Sequence, residues 1–141
     1  MDKTYLNPDD LPNWSDSFSQ IVVVDAGSMR TIYLSGQVAV DPAHNVVGEG
    51  NLERQADAAL ANLTRALAAA GALPSDVVRL GIFVKDYRRE HAATIGDALR
   101  RTFGAGPMPA STWLGVATLA LDELLIEIEA TAVVGTSVRR G

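Results

Sequence analysis

Cysteine is absent from the 141-residue chain, which excludes disulfides, iron–sulfur clusters and thiolate zinc sites and suits a reducing compartment. Histidine is nearly absent as well. His44 and His91 stand far apart and outside any H-E-x-x-H spacing, so both read as solvent-facing side chains. No metal and no cofactor is expected. No run approaches the ~18 apolar residues of a membrane span. No apolar stretch follows Met1-Asp2-Lys3-Thr4, so no signal peptide is expected and the expected location is the cytoplasm. Positive charge is scarce too: 12 Lys and Arg face 17 Asp and Glu, for a net charge of −5. The basic residues cluster only as the pairs Arg88-Arg89, Arg100-Arg101 and Arg139-Arg140. A surface that tracks phosphates needs clustered positive charge, so this balance argues against nucleic-acid binding. Gly48-Glu49-Gly50 and Gly104-Ala105-Gly106 lack the rest of any phosphate-cradling fingerprint and read as turns, and no serine sits in a G-x-S-x-G elbow.

What is present fits one soluble domain over 1–141, with 48% hydrophobic and 21% charged residues. Residues 1–17, with Pro8, Pro12 and several aspartates, read as an irregular leader, although Trp14 and Phe18 beside it need an apolar surface to rest on. The β-branched run from Ser19 to Ala26 predicts a strand. Gly27-Ser28 predicts a turn, and Thr31–Ser35 a returning strand that Gln37–Val40 extends until Asp41-Pro42. Leu52, Ala56, Ala59, Leu60, Leu63, Leu67 and Ala70 recur at helical spacing, with Asn51 as N-cap and Gly71 as stop. A strand is expected over Val77–Val84, with Val78, Leu80, Ile82 and Val84 on one face. A helix is expected from about His91 to Phe103, then strands over about 110–117 and 124–134, leaving 135–141 as a loose tail. The order β-β-α-β-α-β-β, with two amphipathic helices over one mixed sheet, is a two-layer α+β domain.

The final strand carries the clearest chemistry. Alternation puts Ile126, Ile128, Ala130, Ala132 and Val134 on one face, and Glu127, Glu129 and Thr131 on the other. Two glutamates roughly 7 Å apart suit general acid and base work, or a cation; equally, antiparallel sheets often leave one face simply wet. On the preceding strand Ser111, Trp113 and Gly115 share a face. That grouping fits a pocket wall or interface, and it also fits ordinary packing of a tryptophan.

At this point the chain resembles the RidA (YjgF) family. Ser35-Gly36-Gln37 followed by Asp41-Pro42 is similar to the family's S-G-Q segment and turn. Gln55 through Gly71 resembles its first helix, and Ile82-Phe83-Val84-Lys85-Asp86 its central strand. Leu124 through Ala132 matches its closing E-I-E-A signature. The ordered set covers about residues 18–134. The resemblance implies a homotrimer of chorismate-mutase-like fold whose sheets form a central barrel, with small-molecule clefts between subunits. The activity it implies is hydrolysis of reactive enamines and imines, such as 2-aminoacrylate, to a keto acid and ammonia.

Carried over residue by residue, the resemblance assigns Glu127 to the catalytic glutamate that orients water. It places Ser35 and Gly36 in the cleft, and Phe18 and Ser19 on a family Y-S-Q segment, with phenylalanine replacing the tyrosine. Pro109-Ala110-Ser111-Thr112 aligns with P-x-R-[ST], so Ser111 stands where the family's carboxylate-gripping arginine would be, with Trp113 close by. Serine offers one neutral hydrogen bond where guanidinium offers a bidentate, charged grip, a loss of about 2–5 kcal/mol in a desolvated site. The expectation is therefore an enamine or imine deaminase for a substrate other than 2-aminoacrylate, bound by Phe18, Ser19, Ser35, Gly36, Ser111 and Trp113. The alternative is a non-catalytic trimer that binds a metabolite or a partner. An endoribonuclease fits the acidic chain less well.

Overall fold

A computed structural model describes residues 1–136 of the chain. Six strands form one sheet: β1 (Asp2–Leu6), β2 (Ile21–Ala26), β3 (Met29–Val38), β4 (Val77–Lys85), β5 (Ala110–Val116) and β6 (Ile126–Gly135). Their spatial order is β1-β2-β3-β6-β4-β5. All neighbours are antiparallel except β4 and β5. That parallel pair needs a crossover, supplied by helix α2 (His91–Phe103); helix α1 (Leu52–Ala69) links β3 to β4. The mixed sheet with two helices is the expected α+β layering.

Helix α1 begins where the Asn51 side chain accepts a hydrogen bond from the Arg54 backbone N–H and ends in a Schellman arrangement. There Gly71, at φ +78°, lets its own N–H reach Ala68 and that of Ala72 reach Leu67. Arg101 of α2 pairs with Asp57 of α1 at 3.0 Å. The helices cover one sheet face only. Ile21, Val23, Ile32, Leu34, Leu80, Ile82, Ile126, Ile128, Ala130 and Ala132 point into that layer with Ala56, Leu60, Leu63, Leu67, Ile95 and Leu99.

Three expectations need correction. The leader is not irregular throughout, because Asp2–Leu6 forms edge strand β1, paired with β2 from Asp2↔Asp25 to Leu6↔Ile21. Its residues are mostly exposed, so backbone pairing holds it without an alternating apolar pattern. Residue 135 does not open a loose tail, since Gly135 closes β6 and Thr136 donates from its backbone to Ser28; residues 137–141 lie outside the described part. Val78 does not join Leu80, Ile82 and Val84 on the core face. A register shift between Val77 and Arg79 buries Val77 and leaves Val78 48% exposed, as an extra residue in a strand does.

Candidate functional site

Glu127 stands on the sheet face that no helix covers, as the alternation along β6 requires, with buried Ile126 and Ile128 on either side. Opposite it, β3 changes register between Leu34 and Gln37. This bulge at Ser35-Gly36 is tied down from below. The Ser35 hydroxyl donates to the Ser19 carbonyl at 2.6 Å and the Ser35 N–H to the Gln20 carbonyl. Buried Gln37 donates to the Gln20 side chain at 2.8 Å and to the Ser35 carbonyl at 3.0 Å. Gln20 in turn donates to the Pro12 carbonyl. The bulge presents Gly36 to Glu127 so closely that a methyl group there would lie 2.6–2.7 Å from the Glu127 Cδ and Cγ. Glycine is required at 36 for the carboxylate to lie down, and Gly81 makes the same room for Glu129 on the other side of β6.

The Glu127 side chain opens into a cavity of about 290 Å³ walled by Trp14, Phe18, Val38, Ala120, Leu121 and Leu124. No hydrogen bond or ion pair among the described residues supports its carboxylate. Burial pushes its pKa up from the ordinary value, and the neighbouring Glu129 charge adds in the same direction. A half-buried carboxyl of raised pKa, unengaged and facing an apolar space, is equipped to accept a proton from water and return it.

Of the expected site residues, Glu127 and Phe18 line this cavity, and Gly36 and Ser35 form the bulge beside it. Ser19 contributes its carbonyl as an anchor for Ser35. Ser35 also edges a second hollow of about 300 Å³ on the same open face, with Tyr33, Arg79, Glu129 and Thr131. Ser111 and Trp113 are elsewhere. They pair with Leu80 and Ile82, whose side chains are buried under the helices, so both face the helix side of the sheet; Trp113 packs against the edge of the core. Within one chain the structure does not bring Ser111 to Glu127.

Sequence reasoning missed Trp14, Leu121 and Leu124 as cavity walls, and Gln20, Gln37 and Gln55 as buried anchors. The need of Trp14 and Phe18 for an apolar surface was the one available signal, and their rings do lie side by side, 6.5 Å apart and 27° from parallel. No group of three or more potential metal ligands occurs among the described residues.

Comparison with known proteins agrees with this architecture. The family model described as Endoribonuclease L-PSP matches residues 10–134. The Protein DfrA of Myxococcus xanthus is 35% identical, over 94% of this chain and 97% of its own. The 2-iminobutanoate/2-iminopropanoate deaminase of Rattus norvegicus is 36% identical, over 84% of this chain and 81% of its own. Among solved structures, the Rid-family protein YyfB of Yersinia pestis, of unknown function, is 40% identical with a TM-score of 0.69, covering 94% of this chain and 98% of that one.

Proposed function

The chain belongs to the RidA/YjgF family, the one described as Endoribonuclease L-PSP, and from that premise we propose that it is a deaminase-type hydrolase acting on an enamine or imine other than 2-aminoacrylate. The observation that carries this reading is the unengaged, half-buried Glu127 carboxyl at the mouth of an apolar cavity. In its ionised form Glu127 takes a proton from water as the water oxygen attacks the C=N carbon and the π pair moves to nitrogen. Glu127 returns that proton to the nitrogen, giving the carbinolamine, and then carries the hydroxyl proton to the nitrogen as the C=O bond forms and the C–N bond breaks, so that carbonyl product and ammonia leave. Burial raises the pKa of the carboxyl and so makes it a stronger base, and no lysine or arginine of the described residues lines the cavity to hold a substrate carboxylate.

The clefts in this reading lie between the subunits of a homotrimer. Ser111 and Glu127 occupy opposite faces of one sheet, so a ligand touching both needs two copies. The uncovered face, with Tyr5, Tyr33 and Leu114 exposed, is the kind of surface that assembly covers. The test is keto-acid release from freshly generated 2-aminoacrylate by the native chain, Ser111→Arg and Glu127→Gln. The native chain and Glu127→Gln are expected to be silent and Ser111→Arg to gain turnover. An active native chain would mean that a different cation grips the carboxylate. Silence of all three, with saturable ligand binding, would favour a binding trimer without catalysis.

A further inference from the structure

The cavity beside Glu127 has a lining that selects the charge of its occupant. Six of its seven wall residues are apolar, and the seventh is Glu127. No lysine or arginine of the described residues lines it. Lys85, at the end of β4, donates to the Asp122 carbonyl at 2.8 Å and does not line the cavity. Two of the walls are aromatic, and they are held in place. Trp14 is capped edge-on by His44, with ring centroids 4.5 Å apart and planes at 81°. His44 sits in a left-handed backbone conformation, φ 67°, inside a turn closed by the Asp41 carboxylate accepting from the Asn45 N–H. The Trp14 carbonyl accepts from the Phe18 N–H at 3.0 Å, fixing the second ring relative to the first.

An anion entering this space meets the Glu127 charge with no lysine or arginine of the described residues opposed to it. A planar cation meets the same charge favourably, and the negative ring faces of Trp14 and Phe18 add to the attraction. We propose that the cavity takes a planar organic cation without a carboxylate, namely the iminium of a non-acidic amine, and that Trp14 is a specificity-determining residue for it. This rests on the hydrolase reading above and names its substrate class. The reaction balances as one iminium ion plus one water giving one carbonyl compound plus one ammonium ion, with Glu127 passing the proton from water to nitrogen. No outside oxidant or reductant enters.

The test is calorimetric titration of the full chain with two planar probes of similar size, benzamidinium and benzoate. Benzamidinium is expected to bind at least about tenfold tighter. Glu127→Gln should abolish that preference, and Trp14→Leu should weaken benzamidinium by about three- to tenfold. The comparison on the native chain needs no substitution, so it stands even if Trp14→Leu folds poorly. Benzoate binding as tightly as benzamidinium overturns the proposal, as does benzamidinium binding that is indifferent to Glu127→Gln. Turnover is read separately, as acceleration of benzaldehyde and ammonia release from benzaldimine made in place by an amine oxidase. Cation-selective binding without acceleration sinks the hydrolase reading and leaves the ligand class standing. Turnover of 2-aminoacrylate without cation selectivity keeps hydrolysis but overturns the ligand class and, with it, the exclusion of 2-aminoacrylate.

Discussion

Glu127 holds its place through neighbours that are small rather than complementary. Gly36 leaves room on one side, and no donor among the described residues answers the carboxylate. The folded chain therefore binds the Glu127 proton more tightly than the unfolded chain does. Between the ordinary pKa of 4.5 and the raised folded value, the native state carries more protons, so stability falls as pH rises through that window. Glu127→Gln removes this penalty and keeps the shape. Its melting temperature should exceed that of the native chain at pH 8, and the difference should vanish by about pH 4. A native chain more stable than the variant at pH 8 would mean that assembly brings a cation against the carboxylate, and the cavity would then suit anions. At this scale the sequence was legible for Glu127, because strand alternation alone decides its face. It was not legible for Ser111, where the same alternation offers two faces and only the pairing with Leu80 chooses between them.

Elements here are positioned by buried amides as much as by apolar stripes. Gln55 of α1 is fully buried. It donates to the Glu123 carbonyl at 2.8 Å and the Gly48 carbonyl at 3.3 Å, and accepts from the Leu125 N–H at 2.8 Å. One side chain thus ties the approach to α1 to the segment that carries Leu121 and Leu124 into the start of β6. Gln55→Leu would leave the Glu123 carbonyl and the Leu125 N–H without their partner, while the Gly48 carbonyl keeps the Asn51 N–H, and should cost about 2 kcal/mol, read from the urea midpoint at constant slope. A loss under about 1 kcal/mol would mean that water replaces the amide and the segment is held by its leucines. The helices themselves were readable from their period and caps, as Asn51 and Gly71 illustrate. Gln55 was not, since a polar residue one step from Ala56 looks like the rim of the stripe. Edge strand β1 escaped for the opposite reason: it buries almost nothing, and only its hydrogen bonds to β2 reveal it.

The two-layer molecule covers one face of its sheet and leaves the other bare, with both glutamates, Arg79 and Tyr33 on the bare side. Burying that face between copies would keep water from the apolar walls around Glu127, and would strengthen every charge interaction there. A ligand touching Ser111 of one copy and Glu127 of another would then sit between copies. The consequence can be tested by mixing chains that are each incompetent alone toward 2-aminoacrylate. A chain with both Ser111→Arg and Glu127→Gln has the carboxylate grip but no proton shuttle; the native chain has the shuttle but no grip. Co-expressed with different tags and purified as mixed assemblies, they should release keto acid well above either chain by itself, because some clefts then pair Arg from one copy with Glu127 of another. If Ser111→Arg alone is active while the mixed assemblies stay silent, grip and shuttle belong to one copy. The opposite-face geometry would then have to be bridged within the chain, by rearrangement of β5 at the sheet edge.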